Sequence, residues 1–175
     1  MPRRLIRCDI LLRPKLMTMR KMLIALVLGA LAAGPAAASE KTDVMAVLHQ
    51  FVDAFNKGDM NAVLADCADM TSLIDDLPPH EWHGTGACSK WSSDFDAFTK
   101  ANEIIAEVVT LGKPRHIDIT GDRAYVVVSA GYTFKVKGKP MKQTGSIITV
   151  ALQKGASGWH MTGWAWSDGI ETEVK

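Results

Sequence analysis

Residues 47–69 read VLHQFVDAFNKGDMNAVLADCAD. Taken back to Val44, the apolar residues Val44, Val47, Leu48, Phe51, Val52 and Phe55 fall at i, i+3, i+4, i+7, i+8 and i+11. That is a single apolar stripe along an α-helix. Thr42 can cap it, with Asp43 in the first turn, where the helix dipole favours an acid. Lys57-Gly58 supplies the stop. Asp59 then caps a shorter helix through Ala62, Val63 and Leu64 to about Cys67. Met70 to Asp75 reads as a strand. It ends at Asp76-Leu77-Pro78-Pro79, where the prolines forbid a regular ladder. After Gly84 and Gly86, Cys88, Trp91, Phe95 and Phe98 recur at helical spacing and predict a third helix to about Ala101.

Beyond Ala101 there are only strand signals. Ile105 to Leu111 is one, continued by Pro114 to Ile119 after a bend at Gly112-Lys113-Pro114. Thr120-Gly121-Asp122 turns the chain. From Arg123 to Lys137 the pattern alternates, with Ala124, Val126, Val128, Ala130, Tyr132, Phe134 and Val136 on one face. Lys137 to Pro140 turns again. Gln143 to Gln153 and Trp159 to Ser167 complete the series. Three helices followed by a long antiparallel meander predict an α+β fold with the helices on one face of the sheet.

Upstream of Ser39 the chain reads differently. Met19-Arg20-Lys21 is basic, Met22–Ala33 is an apolar run of 12 residues, and Ala36-Ala37-Ala38 offers a small-residue cleavage site. In that order these read as a secretory signal peptide over 1–38. Residues 1–18 look like an over-long start, and Met19 is the more natural initiator. The apolar run is shorter than the roughly 20 residues a bilayer needs. No cysteine follows it to carry a lipid anchor. The expected compartment is periplasmic or extracellular.

The leader holds seven of the 20 Lys/Arg and one of the 19 Asp/Glu, leaving 13 basic against 18 acidic residues and a net charge of −5 on 39–175. An acidic chain without a basic stripe argues against nucleic acid and anionic membrane surfaces as partners. The remaining 137 residues suit one domain. Cys67 and Cys88 remain after the leader; in an oxidising compartment two cysteines tend to pair, the alternative being two buried thiols.

Several chemistries find no support. His80-Glu81-Trp82-His83 is not the helical H-E-x-x-H of a zinc site, and the preceding prolines make it a loop. No G-x-S-x-G elbow is present. Gly84-Thr85-Gly86 lacks the third glycine and the preceding strand of a dinucleotide loop. The expectation is no metal and no cofactor.

Three passages together carry a resemblance: Val47–Asp69, the Trp82-His83-Gly84 link, and the closing GWHMTGWAWS (158–167). They resemble the SnoaL-like, nuclear transport factor 2-like superfamily over 42–169. The resemblance implies a curved antiparallel sheet wrapped around the first helix, forming a cone with an internal apolar pocket. It leaves the activity open, because members include ketosteroid isomerases, polyketide cyclases, epoxide hydrolases, dehydratases and binders. In the isomerases the general base is an aspartate ending the first strand, which matches Asp75. Their oxyanion hole uses a tyrosine and a protonated aspartate. Those positions match Phe51 and either Ile147 or Thr149, none of which is an acid or phenol. Steroid-type isomerisation is therefore not expected, though Asp75 could serve other proton chemistry.

The same matching implies a pocket lined by Phe51, Asp75, Trp82, His83, Tyr132, Phe134, Thr149, Thr162, Trp164 and Trp166. Simple alternation in the last strand puts Thr162, Trp164 and Trp166 on one face, and Trp159 with Met161 on the other. Trp159 would then lie on the outer face, often a dimer surface in this superfamily. The expected function is binding of a small apolar molecule by an exported homodimer. The alternatives are a small lyase, isomerase or hydrolase with Asp75 as base and His83 or Tyr132 as its partner, and a dimeric interaction module with a closed core.

Overall fold

A computed structural model describes the backbone of residues 33–175 and side chains from Ser39 onward. The expected leader falls almost wholly outside the described residues. Glu40–Lys175 forms one compact unit. Among the described residues, three helices, α1 (Ala33–Asn56), α2 (Met60–Ala65) and α3 (Ala87–Ala101), accompany seven strands: β1 (Cys67–Ile74), β2 (Glu81–Thr85), β3 (Ile104–Thr120), β4 (Arg123–Val136), β5 (Lys139–Gly155), β6 (Gly158–Ser167) and β7 (Ile170–Glu173). The stripe of α1 is the heart of the core, with Val44, Leu48, Phe51 and Val52 buried. Thr42 lies inside α1 rather than at its cap. Asp59 caps α2 as expected, its side chain accepting from the Ala62 N–H.

The strand order is β2-β1-β6-β5-β4-β3, with β7 on β5. The sheet is mixed rather than wholly antiparallel, because β1 and β6 run parallel. The crossover through β2, α3 and the meander returns β6 alongside β1 in the same direction. The His80–His83 stretch, read above as a loop, mostly belongs to a strand, Glu81–Thr85. The prolines sit in the turn before it, and its register pairs Leu73 with Trp82 and Ser72 with His83. The short β7, missed in the sequence, pairs Met141–Thr144 of β5 below the end of β6.

Two irregularities decide which side chains face inward. In β5 the partners of Ala130 and Gly131 are Ser146 and Thr144, so Gly145 is an extra residue. Its φ of +82° is the left-handed region that glycine adopts without strain. Parity flips there: Gln143, Ser146, Ile148, Val150 and Leu152 are all buried. In β6, Ala151 pairs with Gly163 and Leu152 with Met161, so Thr162 is an extra residue too. Trp159, Met161 and Trp164 are consequently all buried in one core. Trp159 on an outer, dimer-forming face is thus corrected: the bulge turns it inward.

Cys67, at the start of β1, is bonded to Cys88 on α3. The sequence separation is 21 residues, and closing such a loop is worth about 3 kcal/mol through the unfolded chain. Reduction, or a Cys67→Ala/Cys88→Ala double variant, is expected to lower the melting temperature by roughly 6–12 °C, read by thermal denaturation with and without reductant. An unchanged melting temperature would show that α3 is held by packing alone.

Candidate functional site

Between α1, α3 and the inward face of the sheet lies a cavity of about 300 Å³. Its walls are aromatic: Phe51 and Phe55 from α1, Trp91 and Phe95 from α3, and Trp164 and Trp166 from β6. Trp91 meets Trp164 edge to face at 5.0 Å, and Phe95 lies 5.4 Å from both Trp91 and Phe55. On the far side, Tyr132 stacks on Phe134 at 4.6 Å. Such arrangements satisfy the ring quadrupoles and hold the walls in place.

Asp75, Asp76, Asp168 and Gln143 form a polar cluster at the cavity. Asp75 follows β1 directly. Its backbone N–H donates to the His80 carbonyl at 3.1 Å, closing the turn that carries Pro78 and Pro79. The Asp75 side chain is only 8% exposed. One carboxyl oxygen accepts from the Trp91 indole N–H at 2.7 Å, and the other from the Asp76 backbone N–H at 2.9 Å. Burial pushes this carboxyl up to about 7; the neighbouring Asp76 adds to the rise and the Trp91 hydrogen bond opposes it. No cation among the described residues pairs with it. Asp168, just after β6, is also raised, first by burial and then by Asp76. It accepts from Gln143 Nε2 at 3.0 Å and from the Trp166 indole at 3.1 Å. The Ser146 hydroxyl, fully buried, donates to Gln143 Oε1 at 2.9 Å. A third carboxyl, Glu107, accepts from the Tyr132 hydroxyl at 2.6 Å; burial raises both groups.

Of the residues expected in the pocket, Phe51, Asp75, Tyr132, Phe134, Trp164 and Trp166 line this cavity. Trp82, His83, Thr149 and Thr162 do not. Trp82 is buried under α3, its indole donating to Asp94 at 2.7 Å. His83 is exposed on β2, opposite Ser72, so it cannot partner Asp75. Thr149 faces away from Ile148 and Val150 because Gly145 has shifted the parity of β5. Thr162 is the bulge residue of β6, its hydroxyl on the Ala151 carbonyl at 3.3 Å.

Sequence reasoning missed Trp91 as the Asp75 partner and Glu171 as a lining group; strand parity sends only one of Asp75 and Asp76 inward and the family matching favours Asp75, yet both line the cavity. It also missed the supports Asp168, Gln143 and Glu107. Trp91 was legible only as a core position of α3. Gln143 was hidden by the bulge. Among the described residues, no three His, Cys, Asp or Glu side chains converge closely enough to hold a metal ion.

Comparison with known proteins follows the same outline. No curated protein matches the chain in sequence. Solved structures match it in fold. A hexachlorocyclohexane dehydrochlorinase, LinA-type3, from Novosphingobium barchaimii LL02 superposes with a TM-score of 0.67 at 6% identity, covering 79% of this chain and 92% of that one. A nuclear transport factor 2-like superfamily protein from Salmonella enterica serovar Typhimurium LT2 gives 0.64 at 17% identity, covering 79% and 96%. A ketosteroid isomerase-like protein from Erwinia carotovora atroseptica SCRI1043 gives 0.58 at 18% identity, covering 73% and 94%. At these identities the likeness is one of fold. The family model for the SnoaL-like domain matches residues 44–170, from the first buried valine of α1 to the first residue of β7. The chain belongs to the SnoaL-like domain family.

Proposed function

We propose that this protein binds a small, largely apolar molecule in the cavity between α1, α3 and the sheet, which together form a cone closed around α1. The observation that carries this reading is an aromatic-walled space of about 300 Å³ with a few polar groups on its lining. Ligand sites commonly have this form, apolar walls with a few placed polar groups that fix orientation. A closed-core interaction module would have filled the space with side chains. The leader-like sequence before Ser39 and the Cys67–Cys88 disulfide both support action outside the cytoplasm.

N-phenyl-1-naphthylamine, a neutral probe that brightens in apolar surroundings, tests the reading. It should take up energy from Trp91, Trp164 and Trp166, which line the cavity. Ile148→Phe, which narrows the cavity from β5, should weaken probe binding at least tenfold while the protein stays folded. Equal binding by that variant would place the probe elsewhere and defeat the reading.

One observation favours a second reading, in which Asp75 takes a proton from a bound substrate. Its carboxyl sits at about 7, where a general base works best near neutral pH. Fold neighbours named as dehydrochlorinase and ketosteroid isomerase-like lend it support. The two readings part at Asp75→Asn: a binder keeps its affinity for a neutral ligand within about threefold, whereas an enzyme keeps its ligand and loses turnover.

A further inference from the structure

The charge and hydrogen-bonding character of the cavity lining point to a ligand class. Among the described residues, the charged ones on it are Asp75, Asp76 and Glu171, all acidic; no described lysine, arginine or histidine lines it. Each hydrogen-bond donor on the lining except the Trp164 indole already makes at least one hydrogen bond. The Tyr132 hydroxyl goes to Glu107, the Trp91 indole to Asp75 and the Trp166 indole to Asp168. Gln143 Nε2 donates to Asp168, the Thr99 hydroxyl to the Asp96 carbonyl, and Asn102 Nδ2 to the Phe98 carbonyl. Trp164 Nε1 has no partner among the described residues but is itself buried. The carboxylates, by contrast, keep spare lone pairs, since each oxygen can accept twice. Asp75 uses one acceptor site on each oxygen. The cavity therefore offers acceptors, negative charge and aromatic faces, and little that could hold an anion. Aromatic faces also attract cations.

We infer that the cavity takes an apolar organic cation, its ammonium group held between Asp75 inside and Asp76 at the exposed rim, and its hydrocarbon body between the tryptophan and phenylalanine walls. This rests on the reading of the cavity as a ligand pocket and narrows it. The bound ammonium would supply the counter-charge that Asp75 lacks. It would donate up to three hydrogen bonds to groups that can only accept. A metal ion would not do the same work, because no triad of metal-ligating side chains is present among the described residues.

A rigid, matched series tests the inference: 1-adamantylamine, protonated at neutral pH, then 1-adamantanol and 1-adamantanecarboxylate. Binding is read from tryptophan fluorescence and calorimetry at about pH 8, above the value of about 7 for Asp75. The amine should bind at least tenfold more tightly than the alcohol, and the carboxylate most weakly. Asp75→Asn should bring the amine to the level of the alcohol while leaving the alcohol within about threefold. Asp76→Asn, at an exposed position and so safe for folding, should cut the amine's advantage by about threefold to tenfold. If the alcohol or carboxylate binds as tightly as the amine, the cation inference falls and the apolar-pocket reading stands. If none of the three binds, both fall.

Discussion

Asp75→Asn is expected to stabilise the protein at pH 8 and to destabilise it slightly near pH 3.5. The folded carboxyl sits at about 7, against an ordinary value of 3.8. Between those values the folded chain holds a proton that the unfolded chain has released. Stability therefore falls as pH rises through that window. Below 3.8 both states are protonated and the contribution to stability is fully present. Above 7 it is lost, and the swing is about 4 kcal/mol at most. Asparagine does not titrate, so the variant escapes the loss. It keeps one oxygen, however, and cannot accept from both the Trp91 indole and the Asp76 N–H. That forfeits about 1 kcal/mol at every pH. The net is a gain of about 2–3 kcal/mol at pH 8, or a melting temperature higher by roughly 4–12 °C, turning into a small deficit in acid. Parallel thermal melts of both proteins from about pH 3.5 to 8 measure it. A difference that stays flat across the window would show that Asp75 is not buried without a counter-charge. Groups that cost stability at working pH recur at functional sites, in keeping with the role proposed for Asp75.

The helices and the cavity wall they supply were legible because helical periodicity survives in a single sequence. The stripe from Val44 to Phe55, the Asp59 cap and the spacing of Cys88, Trp91, Phe95 and Phe98 each state their own geometry. Most strands were legible as strands. Their faces were legible only as far as alternation is unbroken, as it is along β4, where Tyr132 and Phe134 reach the cavity. Gly145 and Thr162 break it in β5 and β6, and nothing about an isolated glycine or threonine marks a bulge. Gly145 exchanged Thr149 for Ile148, and Thr162 turned Trp159 inward. The strand β2 was illegible for another reason: Glu81–Thr85 has no alternation of its own and becomes a strand only by pairing with β1. At the site, Asp75 was found through family resemblance. Its partner Trp91 comes from a residue 16 positions away, and Asp168 comes from the far end of the chain. Such convergence is a property of the parallel β1–β6 pairing and the α3 crossover, not of local pattern.

The bulge at Thr162 makes the stretch GWHMTGWAWS the sharpest place to test the fold. Trp159→Ala is expected to cost about 3–5 kcal/mol, the usual cost of removing a buried tryptophan. If Trp159 faced outward, as plain alternation implies, the cost would stay under about 1 kcal/mol. The side chain is buried within the core, with the Lys154 ammonium 5.6 Å from its ring centre. No acceptor among the described residues reaches its indole nitrogen. Trp159→Phe should therefore cost much less than Trp159→Ala, since it fills most of the volume and removes an unpaired N–H. Thr162→Ala should cost under about 1 kcal/mol, because that side chain makes one long hydrogen bond. Deleting Thr162 is the decisive variant. Ala151 and Leu152 are adjacent and pair with Gly163 and Met161. Removing the residue between those partners leaves a regular ladder in which Trp159, Met161 and Trp164 still face inward. In a strand without a bulge, the same deletion would throw Trp159 and Met161 onto the opposite face. The deletion variant should thus stay folded, with the tryptophan emission of a buried ring. Its cost should be about 1–2 kcal/mol, from lost strand bending and the adjusted pairing with β1. A deletion variant that unfolds outright, together with a harmless Trp159→Ala, would mean that β6 runs without a bulge.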